Sequence, residues 1–408
     1  MKRIERIRLY PTAGQAKALA FRLGVTRELY NALLQERRDA YRLRAISITS
    51  AMQYAELTAL RAEDRRIAAV YRESQDAVLH RLDLAMAGFF RRCKRGEAPG
   101  FPRYKSTGRW QQLEFPHGDR ALRLNDTQTR VRVPGVGAVK LRKGRKVPGT
   151  FGRAWLVRRI DRWYACFECE RTVTPLPTTG MMLGVDRGVH VLAALSDGRL
   201  IPNAAVGERR RTATARLQRE LEAATERDAR GYVTNRPDHR RIVAAQRLAR
   251  AREREANARR DYAQKVARQI VSAADVIALE KLRVRSMTRS AKGTTERPGR
   301  HVRAKAALNR LMLDSGFGLL RQMIVAKAEE AARTVVEVEA YFSSRTCSRC
   351  GHVAKGSRRR RRFSCVACGH ATHADVNAAL VIRRRAQLAL KSGLDPAEDA
   401  GRCDQDAA

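Results

Sequence analysis

Four cysteines and three carboxylates carry the chemistry legible in this chain. Cys347-x2-Cys350 and Cys365-x2-Cys368 are two pairs at metal-ligand spacing, with 14 residues between them. A glycine follows each pair, Gly351 and Gly369, and lets the backbone turn tightly under the two sulfurs. Four thiolates in this pattern suit tetrahedral zinc with no open position, which makes the metal structural. The carboxylates are Asp186, Glu280 and Asp375. Asp186 interrupts the apolar run "MLGVD", Glu280 ends "VIALE", and Asp375 opens the small residues of "DVNAA". A core strand or helix tolerates such groups only for a reason. Asp197 in "SDG" and Asp275 ahead of its strand are ordinary turn or cap residues by comparison. Three converging hard oxygen donors suit Mg²⁺ or Mn²⁺, and a pair of such ions about 4 Å apart hydrolyses phosphodiesters.

The elements that must position these groups can be read from periodicity. "MMLGVDRGVHVLAALSDGRLI" predicts a three-strand meander with turns at Arg187-Gly188 and Asp197-Gly198. Residues 204–272 are helical and basic, and "ADVIALEKL" at 274–282 is a buried strand. Residues 286–302 read as polar and mobile. A helix over 303–332, the strand "TVVEVEAYF", the cysteines and a helix over 375–390 follow. The acids thus fall on a first strand, a fourth strand and a following helix, the arrangement of a ribonuclease H-like nuclease core. Upstream, residues 1–10 form one strand closed by Pro11, and 12–95 are helical, with Ser74 as a helix N-cap. Short alternating runs over 110–175 are β, and the first strand joins them in a small barrel carrying a helical insert. "TPLPTTG" at 174–180 is a linker, and no internal repeat is visible.

Charge narrows the partners. Lys and Arg outnumber Asp and Glu 83 to 42, a formal +41. Such a chain repels itself unless a polyanion neutralises it, and nucleic acid is the natural one. Generic basic proteins with this balance are usually short. The N-terminal "MKRIERIRLYPTAGQ" lacks an apolar h-region, and no apolar run reaches the ~18 residues of a membrane span. The expectation is a cytoplasmic protein whose cysteines are metal ligands or core residues. Cys166-x2-Cys169 lacks a second pair and lies on a strand, where its side chains point to opposite faces, so it reads as core. Arg358, Arg359, Arg360, Arg361 and Arg362 are either a solvated loop tip or a phosphate clamp. Ser74 and Gln75 are candidates to reach base edges, with Arg103, Tyr104 and Lys105 on the "FPRYKS" loop against phosphate. The competing reading there is a capped core helix and an exposed loop.

Over nearly its whole length the sequence resembles the TnpB family of insertion-sequence nucleases and their relatives, the miniature type V CRISPR effectors. The residues that carry the resemblance are "RLYPTAGQAKAL", "PGFPRYKS", "GVDRGV", "IALEKL" and "SSRTCSRCG…CVACGHATHADVNAA". It implies an RNA-guided, divalent-metal-dependent DNA endonuclease, with guide RNA and target double-stranded DNA as partners and no membrane. Asp186, Glu280 and Asp375 match the acids of the three RuvC-type motifs. The implied architecture is an α/β multidomain chain. A wedge β-barrel spans 1–11 and 96–176, and a helical recognition lobe spans 12–95. A RuvC-like nuclease spans 181–345 and 371–395, a nucleic-acid-binding zinc ribbon 346–370, and a disordered tail 396–408. The chain departs from many relatives at His373, where they carry an acid. The alternatives are a protein-only RNase H-like transposase or resolvase, which needs neither lobe nor guide, and a non-catalytic zinc-ribbon RNA-binding protein, which does not need the three acids together. Transposon-borne and CRISPR-associated roles, the flanking motif and the oligomeric state stay open.

Overall fold

Alternation in the first ten residues decides where the first strand goes. In β1 (Lys2–Tyr10) Glu5, Ile7 and Leu9 face inward and are buried, while Ile4 is exposed. The buried Glu5 is neutralised by Arg171 at 2.6 Å and Arg145 at 3.4 Å. The computed structural model describes residues 1–234 and 238–392, so the expected disordered tail lies outside the described residues. The chain divides into two units, one ending at Thr172 and the other beginning at Val173.

In the first unit β1 is followed by α1 (Ala13–Arg44), α2 (Ser50–Glu63), α3 (Arg65–Ala68) and α4 (Arg72–Lys94). Thr12 and Gln15 start α1 by a reciprocal capping box. After the proline- and glycine-rich loop come β2 (Gln112–Phe115), α5 (Gly118–Ala121), β3 (Arg123–Leu124), β4 (Arg130–Val133), β5 (Gly137–Leu141), β6 (Phe151–Arg159) and β7 (Arg162–Glu170). They form one antiparallel sheet in the order β2-β6-β7-β1-β5-β4-β3. The N-terminal strand therefore sits between β7 and β5, as the β pattern predicts. The hydrogen bonding does not close a barrel, because β2 and β3 are the two edges. One apolar core joins Ile7 and Leu9 to Leu19, Leu79, Trp110 and Phe167, so the helices pack on the sheet they interrupt.

In the second unit the meander is β8 (Met182–Asp186), β9 (Val191–Leu195) and β10 (Leu200–Pro202). Then follow α6 (Val206–Ala223), α7 (His239–Ala273), β11 (Val276–Lys281), α8 (Val284–Met287), α9 (Val302–Ser315), α10 (Phe317–Glu330) and β12 (Thr334–Glu339). The expected single helix over 303–332 is two helices, broken at Gly316, whose φ of 69° is left-handed. The polar stretch before them is partly ordered, by α8 and by a bridge between Gly293 and Pro298. The sheet order is β10-β9-β8-β11-β12, with β11 parallel to both β8 and β12. The chain then forms a small sheet of β13 (Arg358–Arg359), β14 (Arg362–Ser364) and β15 (Ala371–His373), and ends the described region in α11 (Ala374–Ser392). No helix among the described residues is long and apolar enough to cross a membrane.

The linker does not hang free. Asp275 accepts hydrogen bonds from Thr179 N and Gly180 N at 2.9 Å and 2.7 Å and pairs with Arg333. Its carboxylate thus makes a long-range tie to the linker and to Arg333 rather than the local turn or cap that its place before β11 predicts. Helix α11 lies hard against β8. A Cβ on Gly184 would lie 2.1 Å from the Ala379 carbonyl oxygen, so only glycine admits the helix here.

Candidate functional site

The parallel pairing of β8 with β11 sets Val185 opposite Leu279. Asp186 and Glu280 are each one residue further on, at the same end of adjacent strands. Asp375 arrives from the first turn of α11, which lies across β8. The three acids expected from sequence are thus brought together electrostatically. Burial pushes the Asp186 carboxyl well above the usual range, and the negative charges of Glu280 and Asp375 push it the same way. Burial also raises Glu280, opposed by Arg187. Such a cluster is short of positive charge, and hard divalent cations fit its donor set.

Two arginines supply part of that charge. Arg358 Nη2 donates to Asp375 Oδ1 at 2.8 Å. Arg187, 5% exposed, donates to the Glu280 carbonyl oxygen and, at 3.2 Å, to that of Phe317. It ties the ends of β8 and β11 to the start of α10 and so fixes the strand end that aims Glu280. Sequence reasoning missed Arg187; a charged residue straight after the strand acid was the available signal, and it is indistinguishable from a turn arginine. His373 offers Nδ1 to the Asp375 amide at 3.3 Å, in the manner of a helix cap.

The four cysteine sulfurs lie within 4.8 Å of one another, the one such His/Cys/Asp/Glu cluster among the described residues. Cys347 and Cys368 are 3.7 Å apart, Cys350 and Cys365 3.6 Å. Tetrahedral zinc with bonds of about 2.3 Å needs sulfurs about 3.8 Å apart. The two knuckles repeat one backbone pattern. Gly351 N donates to Cys347 O, and Gly369 N to Cys365 O, each at 3.0 Å. Both glycines have positive φ, 81° and 67°, as the tight turn requires. Amide groups of Cys368 and Ala367 aimed at Cys365 pull its thiol down to about 6, whereas Cys368, despite the His370 amide that lowers it, is pushed up to about 12 by the neighbouring Cys350 thiol and by burial. Asn377, fully buried, joins this cluster to α11: its Oδ1 accepts from Ser348 N at 3.0 Å and its Nδ2 donates to Thr346 O at 2.7 Å. The sequence "DVNAA" gave no sign of that role beyond a polar residue amid small apolar ones.

Other expectations divide. The five arginines occupy a hairpin, Arg358 pairing with Phe363 and Arg359 with Arg362. Arg359 to Arg362 are exposed, whereas Arg358 turns inward to Asp375. Ser74 and Gln75 do not reach solvent. They are 4% and 0% exposed, on the inner face of α4 with Val78, Leu79 and Leu82. Gln75 donates to Ile67 O at 2.8 Å and accepts from Arg61, so its amide is spent inside the fold. Base reading by these two is corrected to the core-helix alternative. Ser74 is not the cap either, since α4 begins at Arg72 with Tyr71 before it. Arg103 and Tyr104 are exposed. Asn31 clasps the Lys105 backbone, accepting from its N at 2.7 Å and donating to its O at 3.1 Å. The Lys105 ammonium lies over the Tyr30 ring. Cys166 and Cys169 are buried, and burial pushes both thiols up, as core cysteines require.

The sequence is similar to those of known proteins. Residues 164–291 match the family described as "Probable transposase", and residues 317–382 the "Cas12f1-like, TNB domain". Residues 1–45 match a "Helix-turn-helix domain", although here they form β1 and one long helix. A protein of Escherichia coli (strain K12), "Putative RNA-guided DNA endonuclease InsQ", is 32% identical over 76% of this chain and 74% of its own length. A "Putative RNA-guided DNA endonuclease" of Streptomyces pristinaespiralis is 27% identical over 98% of this chain and 94% of its own. The solved structure of "the mini-RNA-guided endonuclease CRISPR-Cas_phi3" has a TM-score of 0.47 at 9% identity, covering 94% of this chain and 92% of that one.

Proposed function

Because the chain belongs to the TnpB family, we propose that it is an RNA-guided DNA endonuclease which cuts beside a short flanking motif. The observation that carries the catalytic part is the convergence of Asp186, Glu280 and Asp375 at one end of β8, β11 and α11. The strand order supports a ribonuclease H-like, RuvC-type nuclease over 181–345 and 371–395, with the zinc ribbon of 346–370 inserted between β12 and α11. The first unit is read as a wedge sheet, 1–11 and 96–176, carrying a recognition lobe at 12–95. Guide and target bind through basic contacts spread over both units, and base pairing sets the sequence cut.

Zinc fits the four thiols by spacing and holds the ribbon; Cys347, Cys350, Cys365 and Cys368 would ligate it. Asp186, Glu280 and Asp375 would hold two Mg²⁺ or Mn²⁺ ions, hard cations that suit carboxylate oxygens and that, when bound, would supply Lewis acidity to water and to the leaving oxygen. The protein's share is placement. Asp186 and Glu280 present oxygens from a rigid strand pair, Asp375 presents its own from the opposing helix, and Arg187 holds the Glu280 strand end. Arg358 carries a cation to the rim beside Asp375, and the exposed Arg359 to Arg362 offer charge to an arriving phosphate backbone.

The test is alanine substitution at each acid. Asp186→Ala, Glu280→Ala and Asp375→Ala should each abolish cleavage while guided DNA binding persists, and Asp197→Ala should cut normally. Asp197 serves only its turn, accepting from Arg199 N at 3.0 Å. If Asp375→Ala cuts at near wild-type rate while Asp186→Ala is dead, the third ligand is elsewhere.

A further inference from the structure

The buried side chains of α4 end at Leu82, yet the helix runs on to Lys94. That extension carries apolar groups the core does not use. Leu84 is 60% exposed and Phe90 52%, and Phe101, on the loop beyond, is 40% exposed. The rings are organised. Phe89 packs in a T-shaped arrangement with both Phe90 and Phe101, with centroids 5.2 Å apart in each pair. The loop is anchored at both ends of the cluster: Arg92 Nη2 donates to Gly100 O at 2.9 Å, and Asn31 clasps Lys105. Phe90 and Phe101 are therefore held in place while still partly exposed to solvent. Arg91, Lys94, Arg95 and Arg103 are exposed around them. Exposed rings contribute little to folding and lower solubility, so an ordered set of them marks a binding surface.

We propose that Phe90 and Phe101 form a stacking platform for the unpaired bases of a single-stranded nucleic-acid segment, with Arg91, Lys94 and Arg103 neutralising its backbone. The inference rests on the nucleic-acid reading above and deepens it by naming the strand state bound at this surface. Charge selects this occupant: a second copy would bring the same cations to the same place, in a chain already at +41. A base has a π-face for each ring and a phosphate for each cation, whereas an intact duplex hides its base faces. Phe90 and Phe101 would thus separate single-stranded from duplex segments with no reading of base edges, the role that the buried Gln75 cannot fill.

The experiment uses the full chain freed of bound nucleic acid by high salt, with oligothymidylate, oligouridylate and a blunt DNA duplex of matched length, about 12 nucleotides, as probes. Wild type should bind all three. The double variant Phe90→Ala/Phe101→Ala should lose about tenfold or more in affinity for at least one single strand and change little toward the duplex. The single strand that suffers most shows whether RNA or DNA is the occupant. Phe90→Trp should retain binding, and the indole fluorescence it adds should be quenched by that strand. Equal affinities for wild type and the double variant would overturn the proposal, as would an equal loss on duplex. So would indole fluorescence in Phe90→Trp that the strand leaves unquenched, or sedimentation showing that the rings hold a dimer. Failure of wild type to bind any probe would instead overturn the nucleic-acid reading itself.

Discussion

The substitution Gly184→Ala tests the geometry of the site without touching an acid. A methyl there would lie 2.1 Å from the Ala379 carbonyl oxygen and 2.9 Å from Arg383 N and Cβ. A carbon–oxygen contact needs about 3.3 Å, so α11 or β8 must retreat by about 1.2 Å. Ala379 is one helical turn beyond Asp375, on the same face, and the shift passes to that carboxylate directly. Overpacking of this order costs about 1–3 kcal/mol, and a misplacement near 1 Å slows chemistry by about 100-fold. Single-turnover cleavage of guided target at saturating Mg²⁺ should fall by about that factor, with mobility-shift affinity almost unchanged. Gly24→Ala is the control. It sits mid-helix with nothing within 4 Å of the new methyl, and should cut normally while gaining about 0.4–1 kcal/mol in stability. A Gly184→Ala protein that cuts at the wild-type rate, or loses binding and cleavage equally, would refute the reasoning.

Two further outcomes follow from the site. Cys350→Ser should lower the zinc content of folded protein from one equivalent and slow cleavage through the ribbon, and Asn377→Ala should slow cleavage with zinc retained, because it cuts the tie between Ser348, Thr346 and α11. Metal analysis finding no zinc in active wild type would contradict this. The pH response of the carboxylates has a definite sign. Asp186 and Glu280 are raised in the fold, so the folded protein holds protons that the unfolded chain gives up. Their contribution to stability is complete below the ordinary carboxylate range and is lost as pH climbs from about 4 through the raised values. Melting temperature without added divalent ions should therefore fall over that window, and Asp186→Asn or Mg²⁺ should flatten the fall; parallel curves for wild type and Asp186→Asn would exclude the coupling.

Much of the site was legible because its chemistry defies the local pattern. A carboxylate closing an apolar strand, as in "VIALE", has few structural excuses, and two Cys-x2-Cys-Gly units have almost none. The strand at 1–10 was legible as part of a distant sheet, since a lone strand must find partners. The failures came where one residue type serves two ends. Gln75 looks like a reader of bases, yet it falls four residues before Leu79 and seven before Leu82, on the buried stripe of α4. That periodicity was available and outweighs polarity. Arg358 is one of five identical arginines, and only the hairpin register turns it toward Asp375. Arg187 and Asn377 act through backbone atoms far along the chain, which spacing does not encode.

The central claim is that base pairing to a bound RNA chooses where these carboxylates cut. RNA that accompanies the purified protein should be sequenced, its guide segment replaced, and the protein loaded with the new RNA given DNA bearing both the old and the new target beside the same flanking motif. The account predicts that cleavage moves to the new target, requires Mg²⁺ or Mn²⁺, and disappears after ribonuclease treatment. Protein stripped of RNA that still cuts a defined DNA site, or cutting that stays at the old target, would contradict it.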